Sequence, residues 1–260
     1  MLSLSTLRLP DNVDCVNTNA LRCLPMAVSA RKRPKAQGLG PKAKGARPKA
    51  RYHHGDLRRA LLEEAVRTIR DDGAPALTLR AVGARLGVSR TALYRHFADK
   101  SALLNAVSEE GFRGLGDALE RAWADDGGGI AGFEKMGSAY VRFALDNPSH
   151  YRVMFGVWSS REHHDPSLRA AGTRAFQLLV DALAALQRDG VARREDPAVA
   201  VARYVWAVVH GIAMLGIDGR LPEGQDGPGG VRDVTSLALR RLGTGIFLTE
   251  PSLPSAPSAR

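Results

Sequence analysis

Residues 78–100 hold two short helical patterns joined at Leu86-Gly87-Val88-Ser89, and the second is only about two turns long. A helix that short is marginal alone and cannot bury much apolar surface. It must therefore be pinned by larger helices, and its outer side chains are there to be presented. Thr78 stands where the first helix needs a cap. Leu79, Val82 and Leu86 recur at helical spacing as a narrow apolar stripe. Gly87 is a C-terminal stop, because glycine enters the left-handed region without steric cost. Val88 plugs the corner and Ser89 caps the next helix. In that helix Leu93 faces inward, while Arg90, Thr91, Ala92, Tyr94 and Arg95 remain outside. Gly83 and Ala84 are small where two helices must cross. Glycine at 83 costs roughly 1 kcal/mol against alanine in a helix interior, so close packing is its expected justification.

The pattern reads as a DNA-binding helix-turn-helix. The strings Leu-Thr-Leu-Arg-Ala-Val, Leu-Gly-Val-Ser and Leu-Tyr-Arg-His-Phe-x-x-Lys, in that order, resemble the DNA-binding domain of TetR-family transcriptional regulators over about residues 52–104. Gly83 departs from the family, which more often has alanine there. The resemblance implies that Arg90, Thr91 and Ala92 approach base edges in the major groove. Arginine bonds guanine bidentately, threonine donates or accepts, and an alanine methyl touches thymine. Tyr94, His96, Lys100 and Thr78 are implied to hold phosphates. Ser89, Arg80 and Arg95 complete the candidate DNA-binding set. For Arg80 and Arg85, a solvated face is the alternative, and Phe97 is expected in the core.

Charge supports a division of labour. The net charge is +10 over 260 residues, a length that suggests two modest domains. Residues 1–51 hold eleven Lys/Arg against Asp11 and Asp14, a net of +9, which leaves +1 for everything after them. Within them Arg31–Arg51 carries nine basic residues, no acid and three prolines. Such a stretch is expected to be a disordered basic arm that adds sequence-independent phosphate contacts. Met26 opens a more typical arm than Met1 does, so translation is expected to start there. Residues 1–25 lack an export signal's apolar core. Cys15 and Cys23 are too few for a disulfide framework. No apolar stretch is read as long enough to span a membrane, and the chain is expected to be cytoplasmic.

From Tyr52 onward the fold class is all-α, with helices expected at Asp56–Asp71, Asp99–Ala124, Ile130–Asp146, Ser149–Phe155, Pro166–Gln187, Pro197–Ile217 and Gly230–Leu248. The expected organisation is a three-helix reading domain (52–104), a helical regulatory and dimerisation domain (105–248) and a disordered tail (249–260). Trp206 and His210 lie four apart, on one helix face. Trp206-Ala-Val-Val-His210-Gly211, with Asn147-Pro148-x-x-Tyr151-Arg-x-Met154-Phe155, resembles the WHG-type C-terminal domain of a subset of the same family. That implies a homodimer joined by the last two helices, with Val201, Tyr204, Val205, Val208, Val231, Val234, Leu237 and Leu239 on the joining faces. It also implies a palindromic operator and an unknown small-molecule effector. Candidate cavity residues are Tyr140, Phe143, Tyr151, Met154, Phe155, Trp158, Phe176, Trp206 and His210. Each is also explicable as core, and His210 as a histidine hydrogen-bonded inside the bundle.

Enzyme readings find little support. Gly127-Gly-Gly129-Ile-Ala-Gly132 matches G-x-G-x-x-G but follows a helix and sits in no βαβ unit. His53-His54 and His163-His164 are adjacent pairs, which point to different sides of any helix or strand. No cofactor, metal site or catalytic residue is expected. The function expected is a sequence-specific regulator, a repressor released by its effector. The alternative is a weakly specific architectural DNA-binding protein that relies on the arm.

Overall fold

The computed structural model describes residues 56–125, 127–156, 165–221 and 229–248. The arm expected over 1–51, both histidine pairs, Trp158 and the 249–260 tail lie outside the described residues. Among those described, the order is α1 (Asp56–Asp72), a 3-10 turn (Ala74–Ala76), α2 (Leu79–Leu86), α3 (Arg90–Tyr94), α4 (Lys100–Ala124), α5 (Gly129–Asp146), α6 (Pro148–Phe155), α7 (Pro166–Arg188), α8 (Ala198–Ile217) and α9 (Val231–Ile246). The all-α expectation holds, and the helix limits fall within two residues of the sequence reading.

Local chemistry sets those limits. Thr78 Oγ1 accepts from Ala81 N at 3.1 Å, Ser89 Oγ from Ala92 N at 3.2 Å and Asp99 Oδ1 from Ala102 N at 2.8 Å. Each satisfies a donor that the helix start leaves free. Asp165 does the same for Ser167 N and Leu168 N, ahead of Pro166. Gly87 closes α2 in the left-handed region, with φ 66°. The glycine run 127–129 also has positive φ throughout, and a Cβ on Gly128 would stand 2.9 Å from the Trp123 ring. Its glycines thus serve the reversal between α4 and α5 against that ring.

Two apolar clusters form the interior. One gathers Leu57, Leu61, Leu62, Ala65 and Ile69 of α1 with Leu79, Val82, Leu93 and Phe97, and roofs them with Leu103, Leu104 and Val107 of α4. A Cβ on Gly83 would lie 2.6 Å from Leu93 Cδ1, so the small residue does let α3 approach α2. The other cluster unites the C-terminal half of α4 with α5, α7, α8 and α9. Short α6 contributes to both: Val153 belongs to the first, Tyr151 and Met154 to the second.

Three expectations need correcting. The last helix was expected to run to Leu248, but α9 ends at Ile246. Phe247 then turns extended and bridges Ala192, with its ring edge-on to Phe133 at 5.4 Å. Burying that ring outweighs one more helical residue. The expectation that no apolar stretch reaches membrane-spanning length also fails, since α8 qualifies by length and composition. In the fold its Ala202, Val205, Val209, Ile212 and Ala213 are buried against neighbouring helices. Finally, Val205, Val231 and Leu239, expected on joining faces, lie in the chain's own core, whereas Tyr204 (60%) and Leu237 (49%) are exposed.

The turn after α2 yields a measurable consequence. Gly87→Ala places a Cβ in the left-handed region with open space around it, so only backbone strain of about 1 kcal/mol opposes it. The urea midpoint should fall with an unchanged slope. Gly87→Asn should lose less, because asparagine tolerates that region; equal losses would contradict the backbone explanation.

Candidate nucleic-acid interface and internal cavity

The head presents α3 on a scaffold tied to α1. Arg85 Nη1 donates to Glu64 Oε1 at 3.3 Å and Thr68 Oγ1 at 3.2 Å, and Nη2 donates to Asp72 Oδ2 at 3.0 Å. These bonds hold the Arg85 guanidinium above its usual pKa. Arg85 is exposed, yet its guanidinium is engaged by three side chains of α1 and clamps α2 to that helix. Sequence reasoning missed this because its partners sit 13 to 21 positions away.

The expected reading residues are disposed as follows. Arg90, Thr91, Tyr94 and Arg95 are exposed, Ala92 and His96 half-buried, and Leu93 buried. The Arg90 guanidinium lies over the Tyr94 ring, 5.5 Å from its centroid. Arg80 is exposed on α2. Thr78 and Ser89 use their oxygens as caps, which leaves each hydroxyl hydrogen able to donate outward. Lys100 Nζ donates to Pro75 O at 3.1 Å, and partial burial lowers its pKa. That bond ties the start of α4 to the 3-10 turn.

A cavity of about 340 Å³ opens between α4, α5, α7 and α8. Of the expected residues, Tyr140, Phe155, Phe176 and Trp206 line it; Phe143, Tyr151, Met154 and His210 do not. Its wall also includes Phe112, Leu119, Phe133, Met136 and Arg203, which the sequence reading did not select. The apolar ones carry only a helical-core signal. Arg203 could have been found, as the lone charged residue of α8.

Behind the cavity wall lies a polar chain. Trp206 Nε1 donates to Tyr140 Oη at 3.0 Å, the Tyr140 and Tyr151 hydroxyls are 2.9 Å apart, and Tyr151 Oη is 2.7 Å from His210 Nδ1. An indole N–H can only donate, so it fixes one end. One assignment that satisfies these contacts runs Trp206 to Tyr140, Tyr140 to Tyr151, Tyr151 to His210, with the Tyr140 hydroxyl also 3.3 Å from His210 Nδ1. His210 Nδ1 is then an acceptor, and the ring is neutral with its proton on Nε2. Burial lowers the His210 pKa, in agreement. Burial also raises Tyr140 to about 12 and pushes Tyr151 upward, so both stay protonated as the chain requires.

Comparison with known proteins gives a consistent result. Residues 61–107 match the family described as bacterial regulatory proteins, tetR family, and residues 133–241 match the tetracyclin repressor-like C-terminal domain. A transcriptional regulator of the helix-turn-helix type from Mycobacterium tuberculosis is 30% identical over 146 residues. That match covers 52% of this chain and 59% of that regulator, so the chain spans about three fifths of that relative's length. A solved structure from Rhodococcus sp. RHA1, of unknown function, is 33% identical with a TM-score of 0.67, over 76% of this chain and 98% of that one. A TetR family transcriptional regulator from Thermus thermophilus shares the fold at 23% identity and TM-score 0.55, over 71% and 97% of the two chains.

A depressed histidine pKa makes stability depend on pH. Unfolded, His210 takes up a proton near 6.5; folded, it resists until lower pH. Its contribution is therefore complete above 6.5 and is lost as pH falls below that value. His150 is shifted the same way by burial, so its share persists in a His210 variant. The fall in urea midpoint between pH 8 and pH 5 should shrink in His210→Asn, whose amide oxygen can still accept from Tyr151. An identical fall would refute the assignment.

Proposed function

The chain belongs to the TetR family of bacterial regulators, and from that premise we propose that it is a sequence-specific DNA-binding repressor, acting in the cytoplasm without catalysing a reaction and released by a small molecule. The observation that carries this reading is the head, a helix of five residues held on α1 and α2 with Arg90, Thr91, Tyr94 and Arg95 facing outward. Arg90, Thr91 and Ala92 meet base edges. Tyr94, Arg95, His96, Lys100, Arg80 and the hydroxyls of Thr78 and Ser89 hold the backbone. The basic stretch before the head adds charge that does not read sequence.

Two copies are needed. The exposed Tyr204 and Leu215 of α8 and Leu237 of α9 supply an apolar face that a second copy covers. This also accounts for the composition of α8, which is apolar on its core side and again on its outer side. Two-fold symmetry sets the recognition helices about 34–36 Å apart, on a palindromic operator. In this proposal residues 52–104 read DNA and residues 105–248 hold the dimer and the effector. The cavity takes an effector with apolar surface, and binding favours one spacing of the heads over the other.

Footprinting the purified protein on DNA flanking its own gene locates the operator, and Arg90→Ala then tests the reading. Losing a bidentate base contact should weaken operator binding by about 1–3 kcal/mol, while affinity for random DNA changes much less. An equal loss on both DNAs would assign Arg90 to the phosphate backbone instead.

A further inference from the structure

The cavity is apolar except at two places, and only one of them is unsatisfied. The indole N–H of Trp206 and the hydroxyl of Tyr140 are occupied within the chain that ends at His210. Arg203 has no hydrogen bond or ion pair to any described residue. Two other arginines of this region are matched: Arg174 bonds Asp117 and Glu120 across α4 and α7, and Arg152 bonds Asp218. Arg203 is also the one charged side chain of α8. It is exposed while still lining the cavity, which puts this residue at the mouth.

That position has a physical meaning. A guanidinium deep among phenylalanines would be costly without a partner, whereas one at the rim keeps its hydration until an anion arrives. It stays charged at any working pH and offers a planar fork that fits a carboxylate or a phosphate. Apolar walls behind a single cation also concentrate anions at the opening.

We infer that the cavity takes an amphipathic anion, with its apolar body among Phe112, Phe133, Phe176 and Trp206 and its carboxylate or phosphate head on Arg203. This rests on the cavity being the effector site. The head remains at the solvent edge, so the ligand loses little hydration on entering. Its body displaces water from an almost wholly apolar wall, which supplies most of the affinity at about 0.8 kcal/mol per buried CH2.

Calorimetric titration of the full chain with decanoate, monodecyl phosphate, decanol and decyltrimethylammonium tests the inference. At least one of the two anions should bind about tenfold more tightly than decanol, equivalent to about 1.4 kcal/mol, and the cation least. Salt should narrow the gap. Arg203→Gln should abolish the advantage and leave decanol binding and thermal stability unchanged, and Arg203→Lys should restore part of it. Decanol and both anions binding equally, or an advantage that survives Arg203→Gln, would overturn the anion inference while leaving the cavity as a binding site. Failure of every decyl compound to bind would remove both.

Discussion

The hydroxyl chain from Trp206 through Tyr140 and Tyr151 to His210 fixes where α6 lies. This helix has eight residues, too few to be stable by itself, so its position is set from outside. Tyr151 is fully buried and bound on both sides, to α5 through Tyr140 and to α8 through His210. Arg152 bonds Ile217 O and Asp218 at the far end of α8. Met154 packs against Gly111 of α4, where a Cβ would collide with its sulfur. Val153, between them, belongs to the core of the head. Four consecutive residues thus reach four different surroundings.

The arrangement makes α6 the element shared by the two apolar clusters, together with the long α4. A donor-to-acceptor chain is intolerant of partial loss: removing one hydroxyl leaves a buried acceptor on one side and a buried donor on the other. Phe155 follows on the same helix and lines the cavity, its ring 4.7 Å from His210 and 5.4 Å from Phe112. In the proposed function, an occupant of the cavity touches the helix whose neighbouring residue packs under α1. Arg203 at the mouth and Val153 at the head mark the two ends of that route.

How much of this could be read in the sequence follows from how local each determinant is. The helices were legible because apolar period, caps and glycine stops lie within one turn of what they specify; Thr78, Gly87, Ser89 and Asp99 act as their types suggest. The shared face of Trp206 and His210 was legible for the same reason. Their partners were not, since Tyr140 and Tyr151 stand 66 and 59 positions away. Arg85 could not be told from a solvated arginine, because only the packing of α2 on α1 brings Glu64 and Asp72 to it. The cavity wall was half legible. Aromatic residues could be nominated, but which of them border empty space depends on helix separations that no local pattern encodes. Phe247 left its helix for a long-range reason of the same kind.

The most direct test of the central role of α6 is amide hydrogen exchange in Tyr151→Phe, compared with the parent chain under native conditions. Removing that hydroxyl loosens α6, so exchange should accelerate in α6 and also in α1, which meets it through Val153. Acceleration confined to α5 and α8, with α1 unchanged, would mean that α6 does not join the two cores.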